Sequence, residues 1–405
     1  MNTRKNIVTG LLALLGFGLV HILAPTPAEA IPAFARANKV PCTTCHVQFP
    51  KLNEFGMAFK QNGYRMQGQM GTPVWLRDNL PLAALTRLTV ESTETSIPLE
   101  TPPGNKTAIT DAKRRGLEFF SAGHLAPRIS YFFDYAFTTD TIDVFAPGGG
   151  SLGTTTVSQA GPGGTFLVFS DLVPNNLVNL RVGDMSNEFL YLSQPRRTTQ
   201  HAYLAPVSVG HVGVELNGHK GLGEHSGLRY AAGYGNNGEA NAEGILGGGY
   251  AWGTWDIAGQ TLGARYSTGR AGDAATGLTD QYSMLDLNTN LRLGQSWLVL
   301  AWFSQDNVDG VTGATQKNLL GELVYPVTSQ LLFTGRYETK ESETLAGATP
   351  GTDTATVIGL SYYIMPNINL TTEFVAMNYG EGHPNSALGN PGKDTIFAFG
   401  FQVGL

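Results

Sequence analysis

Cysteine, charge and long hydrophobic runs are all scarce in this chain of 405 residues. Only two cysteines are present, which excludes a scaffold of several disulfides. Charged residues make up 14% and the formal net charge is −6, which argues against nucleic acid as a partner. After residue 24 no hydrophobic run is long enough for a membrane helix. Beyond that point the chain can cross a membrane only with strands.

The rest of the chain has the composition and alternation of a strand-rich protein. It contains 51 glycines, together with many Tyr, Phe and Thr. In several stretches apolar residues alternate with charged or amide residues, so one face of the strand is apolar. The clearest are 129–137, 285–293, 319–325, 331–337 and 368–374. This alternation fits a soluble β-sandwich, whose apolar face is the core, and also a membrane barrel, whose apolar face meets lipid.

The lengths of the connections favour the barrel. Short turns alternate with long loops rich in Gly and Pro, as in up-and-down barrels whose turns face the periplasm. The predicted turns are 125–127, 174–176, 252–254, 294–296, 326–329 and 365–367, and the predicted loops are 93–116, 140–164, 184–207, 267–281, 306–316, 339–354 and 378–394. Only 217–227 is too long for its place among the turns. We therefore predict an all-β fold, a transmembrane up-and-down antiparallel barrel of about 16 strands.

The last residues support a closed barrel. Phe397, Phe399 and Phe401 alternate with small or polar residues, so the final strand has a wholly apolar face. Such a strand would aggregate as an exposed edge, whereas it suits the closing strand of a barrel.

The first 30 residues have the pattern of a signal peptide. Arg4 and Lys5 precede a hydrophobic run over 7–24, and small residues stand at the expected cleavage site. We expect 1–30 to be a signal peptide, 31–79 a small cytochrome segment and 80–405 the barrel. An uncleaved helical anchor is the alternative, although the run is near the short limit for a span.

The two cysteines stand in a C-T-T-C-H sequence at 42–46, the C-x-x-C-H spacing of c-type haem attachment. Thioether bonds at Cys42 and Cys45 would fix one haem c, and His46 would be the proximal ligand of its iron. The export signal agrees, because covalent haem attachment takes place outside the bacterial cytoplasm. The alternatives are a redox pair, which needs a βαβ context, and half of a zinc site, which needs further thiolates or clustered histidines.

A helix is predicted over 50–62, because proline suits its first turn and an Asn-Gly pair follows it. Leu52, Phe55 and Phe59 then share one face, which we expect to pack on the porphyrin. An ordinary amphipathic helix against a barrel wall explains the same stripe. A segment this short cannot bury a core of its own, so haem and the barrel lumen would supply it, with the segment as a luminal or periplasmic plug.

The sixth ligand of the iron is less closely defined. Met57 points away from the apolar stripe, which leaves Met66 and Met70 as the distal candidates, since the chain can fold back after the helix. A methionine ligand would raise the haem potential. A barrel histidine or an open site is the alternative. The histidines concerned are His124, His201 and His211.

The stretches 32–36, 42–46, 49–56 and 59–64 resemble the N-terminal signature of the fused monohaem cytochrome–porins of the bacterial outer membrane. This family includes iron-oxidising outer-membrane cytochromes c and relatives in bacteria not known to oxidise iron. The resemblance implies a haem c lodged in or under a barrel, and electron transfer from an extracellular donor such as Fe(II) to periplasmic carriers. Met57 is a departure, because the family more often has a basic residue there.

Three functions follow from these patterns. The first is an electron conduit, in its specific form an Fe(II):cytochrome c oxidoreductase. Its partners are an extracellular donor, periplasmic cytochromes or other electron carriers, and outer-membrane lipid. It would keep insoluble Fe(III) outside the cell. The second is a solute porin with a covalent haem plug or sensor. An electron conduit for a donor other than iron is the alternative form of the first function. The third is a soluble exported β-sandwich cytochrome.

Overall fold

The computed structural model describes residues 33–48, 51–66, 69–76, 81–99, 104–145, 151–186, 192, 197–207, 210–223, 226–241, 244–272, 279–308, 312–343, 351–365, 367–380 and 392–404. The predicted signal peptide lies outside these ranges. No helix among the described residues is long and apolar enough to cross a membrane. Before the barrel come two short helices, α1 (Ala33–Asn38) and α2 (Glu54–Gln61), and a small sheet of β1 (His46–Gln48) and β2 (Lys51–Leu52).

Within the described residues, 16 antiparallel strands close into a single barrel, β3 to β18. Each strand pairs with its neighbours in sequence, and the final strand pairs with β3 to complete the cylinder. The strands are β3 Leu82–Leu99, β4 Gly104–Ala126, β5 Ile129–Phe145, β6 Ser151–Val173, β7 Val178–Ser186, β8 Gly210–Gly223, β9 Ser226–Asn241, β10 Gly244–Ile257, β11 Gln260–Gly272, β12 Thr279–Leu293, β13 Ser296–Asp306, β14 Thr315–Pro326, β15 Leu331–Glu343, β16 Gly351–Met365, β17 Ile368–Asn378 and β18 Lys393–Gly404. The predicted fold is confirmed, and the alternative of two stacked sheets is wrong.

The alternation predicted from the sequence separates the two faces of the barrel. Leu319 and Tyr337 are exposed on the outer face, whereas Glu322 and Arg336 of the same strands are buried inside. Phe397 of the closing strand is likewise exposed on the outside. An apolar outer face with a polar lumen is the arrangement that a hydrocarbon environment requires.

One end of the barrel carries only short connections, and we call it the turn side. They are 127–128, 174–177, 224–225, 258–259, 294–295, 327–330 and 366–367. The predicted turn at 252–254 is wrong, because β10 continues to Ile257 and the chain reverses at Ala258 and Gly259, both with positive φ. The segment 217–227 is mostly strand as well, so the exception suspected there does not exist.

Two predicted loops at the opposite end are largely strand. The stretches 93–116 and 140–164 form the outer halves of β3 to β6. These strands have between 17 and 23 residues, more than the roughly 9–11 needed to cross a bilayer. Their hairpins therefore extend beyond the apolar band.

Candidate functional site

The described residues between 33 and 76, which we call the N-terminal segment, contact the inside of the barrel near its turn side. The Gln61 amide donates a hydrogen bond to the carbonyl oxygen of Gly218 at 3.1 Å, and Arg65 donates to the side chain of Asn176 at 3.0 Å. The backbone N–H of Gly71 donates to a carbonyl oxygen in the turn at 127–128 at 2.9 Å. Because these partners lie at or near turns, the described part of the segment lies toward the turn side of the lumen.

A buried ion pair joins the segment to the barrel wall. The Lys51 Nζ lies 2.5 Å from Oε1 of Glu322, and both side chains are almost wholly buried. Glu322 also accepts a hydrogen bond from the hydroxyl of Tyr203 at 2.9 Å and lies 3.9 Å from Arg336. Lys51 belongs to no predicted site. No local pattern marks a partner that lies 271 positions away in the chain.

Between β7 and β8 the structure describes residues 192 and 197–207; these fold into the lumen, and we call them the inward loop. Glu373 accepts hydrogen bonds from the backbone N–H groups of Gln200 and His201 at 2.6 and 2.8 Å. Arg336 donates to the carbonyl oxygen of His201 at 3.0 Å. The sequence predicted an outside loop here. The luminal charges satisfy its buried backbone groups, which a loop inside a barrel would otherwise leave unpaired.

The C-x-x-C-H sequence forms a compact turn. Residues Cys42–Thr44 are a single 3₁₀ turn, in which the N–H of Cys45 donates to the carbonyl oxygen of Cys42 at 3.1 Å. Side chains three apart eclipse one another in such a turn, so Cys42 and Cys45 project from the same side. His46 follows directly and begins β1. Two attachment points on one side, with an imidazole beside them, are the donor set that a single haem c needs.

Both cysteines are free and half-buried. Burial, with a smaller contribution from Cys42, raises the pKa of the Cys45 thiol to about 11. Burial also raises the pKa of Cys42. A redox C-x-x-C pair has a lowered thiol pKa, so the direction of these two shifts argues against the redox alternative.

The helix α2 begins later than predicted. The side chain of Asn53 accepts a hydrogen bond from the N–H of Gly56 at 2.9 Å and so caps the helix, which begins at Glu54 rather than at residue 50. Residues 51–52 are in β2 instead. The predicted end is correct, because α2 stops at Gln61 and Gly63 has a φ of +67°.

An aromatic cluster joins α2 to the C-x-x-C-H turn. Phe59 is 6% exposed, and its ring lies 5.4 Å from that of Phe34 in an edge-on arrangement. Tyr64 stacks on Phe34 at 4.6 Å. Cys45 and Met66 both pack against this cluster. The structure therefore brings together the attachment turn, one predicted haem contact and one predicted distal ligand.

The other predicted contacts lie apart from that cluster. Leu52 precedes the helix and packs, together with Met57, against an apolar cluster on the barrel wall. Phe55 is 43% exposed, with its ring 6.4 Å from that of Phe59. Met70 is 57% exposed. The predicted stripe is thus divided, because β2 and the Asn53 cap take Leu52 out of the helix.

The three barrel histidines occupy different places. His124 on β4 is buried against the backbone of Gly71, where an added Cβ would collide with the imidazole. His201 belongs to the inward loop. The side chain of His211 lies outside the described residues.

A close backbone contact makes Gly56 a critical residue of the segment. A Cβ at this position would collide with the carbonyl oxygen of Cys45. We expect Gly56→Ala to destabilise the segment by about 1–3 kcal/mol, because the helix must move away from the attachment turn. The measurement is proteolysis of the segment together with the haem content of the purified protein.

The matched control for that substitution is Gly253→Ala in β10, where the nearest atom to a new Cβ is 3.9 Å away. Equal proteolysis of the two variants would show that the contact at Gly56 is not limiting.

The fold is that of a porin-like outer-membrane barrel. The porin OmpF of Salmonella typhi, in a complex with daunomycin, superposes with a TM-score of 0.53 at 14% identity, over 81% of this chain and 98% of that chain. The outer-membrane channel DcaP of Acinetobacter baumannii gives a TM-score of 0.51 at 12% identity, over 83% and 100%. No protein-family model and no curated protein matches the chain. The likeness is one of fold, and it agrees with the solute-porin alternative in general terms.

Proposed function

We propose that the protein is an outer-membrane porin-like barrel whose N-terminal segment carries one covalent haem c and transfers electrons between an extracellular donor, such as Fe(II), and periplasmic carriers. The observation that carries this proposal is the C-x-x-C-H turn, packed with aromatic side chains at the turn side of the lumen. The structural similarity to outer-membrane barrels supports the membrane location. The sequence resemblance of the N-terminal segment to cytochrome–porins supports the presence of a haem.

The residues present fit a haem c. Cys42 and Cys45 would hold it, His46 would ligate its iron, and Phe59 would pack beside it. When bound, the group supplies one-electron chemistry between Fe(III) and Fe(II). The apolar cluster beside Cys45 would limit the access of water to a haem bound there, and burial of this kind influences the potential of such a centre.

The position of the segment determines which partners can approach it. The apolar band of such barrels is about 25 Å tall, so a donor outside and an acceptor inside cannot touch. Lys51, Gln61 and Arg65 hold the segment at the turn side, which faces the periplasm in up-and-down barrels. A periplasmic carrier would therefore dock directly, whereas the donor would approach through the lumen.

The test is anaerobic visible spectroscopy of the membrane-extracted, full-length protein during addition of Fe(II). We expect reduced c-type haem bands to grow in proportion to Fe(II), and Zn(II) to cause no reduction. Haem that stays oxidised at both acidic and neutral pH would remove iron as the donor, and a protein without covalent haem would remove the electron-transfer function altogether.

The two distal candidates are separable by mutation. Met66 packs on the cluster that contains Phe59 and Cys45, whereas Met70 is exposed, so we expect Met66→Leu and not Met70→Leu to change the ligation. Loss of a methionine ligand lowers the haem potential and abolishes the sulfur-to-iron charge-transfer band. Redox titration and visible spectra of both variants measure this. The assignment is wrong if Met70→Leu alone changes the spectrum.

A second function, the passage of solutes, is favoured by one observation. A cavity of about 350 Å³ lies in the lumen against the inward loop, on the side of the barrel formed by β3 to β5 and β16 to β18. None of the described residues of the N-terminal segment lines it. The described part of the N-terminal segment therefore does not fill the lumen, and we propose on this ground that the same chain also passes solutes.

A further inference from the structure

Residues 73–76, which we call the rim segment, run beside the turn-side end of β4. Just before them, the backbone of Gly71 lies against the imidazole of His124, which is buried. Pro73 then forms an isolated parallel bridge with His124. The strand β3 begins only at Leu82, which pairs with Ser121, so the rim segment occupies the space beside β4 that β3 does not reach.

Val74 of the rim segment lies on the outer face of the barrel. Gly123 of β4 faces outward, because the residues on either side of it are buried on the luminal face. A Cβ added to Gly123 would lie 2.6 Å from Cγ1 of Val74 and 3.6 Å from the ring of Tyr131. The chain therefore passes from the lumen to the outer face between residues 71 and 74.

Two large apolar side chains follow Val74 in the same 3₁₀ turn. Trp75 and Leu76 are 66% and 68% exposed. Leu125, the next outward residue of β4 after the glycine that Val74 covers, is 38% exposed. Exposed apolar side chains that adjoin one another mark a surface that meets an apolar partner or a membrane.

Aromatic residues on the outer face show the level at which this surface lies. Tyr230, Trp255 and Tyr325 are 36%, 44% and 47% exposed, and each lies a few residues from a turn, as Tyr131 does. Tyrosine and tryptophan at such positions form the belt between the hydrocarbon and the lipid headgroups. Because Val74 and Tyr131 flank the same glycine, the rim segment lies at the level of this belt.

We propose that the rim segment is a lipid-binding anchor, with Trp75 and Leu76 at the boundary between headgroups and acyl chains on the periplasmic side of the membrane. Lipid is the occupant because the surface continues the lipid-facing wall through Tyr131, and because an indole has an apolar ring and a polar N–H. The N-terminal segment is then held by the wall inside the lumen and by lipid where it leaves. This inference rests on the membrane location alone and depends neither on the haem nor on solute passage.

The experiment is fluorine NMR of the full-length protein, labelled with fluorotryptophan, in nanodiscs of phosphatidylcholine and phosphatidylethanolamine. The chain has five tryptophans, and Trp75→Phe, Trp252→Phe and Trp255→Phe assign three of the signals. A phosphatidylcholine with a nitroxide near the headgroup end of one acyl chain is then added. We expect it to increase the relaxation of Trp75 about as much as that of Trp255, and roughly fivefold or more above that of Trp252. Trp255 is the matched control on the outer face, and Trp252 is the matched control inside the lumen, where it packs on an apolar cluster.

A water-soluble gadolinium chelate distinguishes the other occupants. Relaxation of Trp75 by the nitroxide lipid, at the level of Trp255, supports the anchor. Relaxation of Trp75 by the chelate and not by the lipid places the indole in water and overturns the proposal, leaving the surface to a periplasmic protein. A Trp75 signal that neither agent changes shows that protein covers the indole, which also overturns it. Any effect of a bound haem cancels, because each signal is compared with and without the added agent.

Discussion

Replacement of both cysteines, Cys42→Ser together with Cys45→Ser, is expected to remove covalent haem completely. A hydroxyl cannot form the thioether bonds, and the chain contains no other cysteine. The measurement is the intact mass and the haem stain of the denatured protein, since only covalent haem survives denaturation. The barrel should still assemble, because its strands pair with one another and not with the C-x-x-C-H turn.

The matched control for the serine variant lies between the two cysteines. Thr43→Ala with Thr44→Ala leaves both thiols in the same turn and should retain the haem. His46→Ala separates attachment from ligation, because it leaves the thioethers possible and removes the imidazole. We expect that variant to keep the added mass but to show an altered spectrum. Wild-type protein from a host competent in cytochrome c maturation that carries no added mass would refute the haem proposal.

Replacement of Lys51 by methionine is expected to loosen the N-terminal segment inside the barrel. Removing one partner of a buried ion pair costs about 3–5 kcal/mol, because the remaining charge is left without compensation. Here the remaining charge is Glu322, which keeps Tyr203 and Arg336 nearby, so the lower end of that range applies. We expect faster proteolysis of the segment from the turn side and a larger, noisier conductance in bilayers.

Two further variants make this test specific. Lys39→Met removes an exposed lysine from the same segment and should change neither measurement. Lys51→Met combined with Glu322→Leu removes both charges and should recover much of the lost protection, because an apolar pair of similar size can replace a buried ion pair. If Lys51→Met behaves like Lys39→Met, the segment is held by its other contacts and the ion pair has no anchoring role.

The cysteine and lysine variants test two different features of the molecule independently. The cysteine variant tests the chemistry of the turn, and its expected effect is on haem and not on conductance. The lysine variant tests the seating of the plug, and its expected effect is on conductance and proteolysis. A cysteine variant with wild-type conductance would support the solute passage as a function independent of haem.

Two features of the chain differ from their prediction for the same physical reason. The turn at 252–254 was predicted from Gly253, yet this glycine lies within β10, and the chain reverses at Ala258 and Gly259. The inward loop was predicted to lie outside because its composition is that of any long loop. In the first case the same local composition fits a strand or a turn, and in the second it fits a loop inside or outside the barrel. Contacts with residues distant in the chain decide between the two structures in each case.

The sequence by itself determined the barrel and marked the C-x-x-C-H turn as the candidate haem site. Alternation with a period of two follows from the geometry of a single strand, so apolar outer residues such as Leu319 and luminal ones such as Glu322 can be recognised without knowing their neighbours. The C-x-x-C-H motif is equally local, because its donors lie within one turn. Only the tertiary structure decided that Lys51 pairs with Glu322, that Met66 and Cys45 pack against one cluster while Met70 is exposed, and that arginines from β3, β4 and the inward loop share one cavity. Those contacts join residues far apart in the chain, and closure of the cylinder brings them within reach of one another.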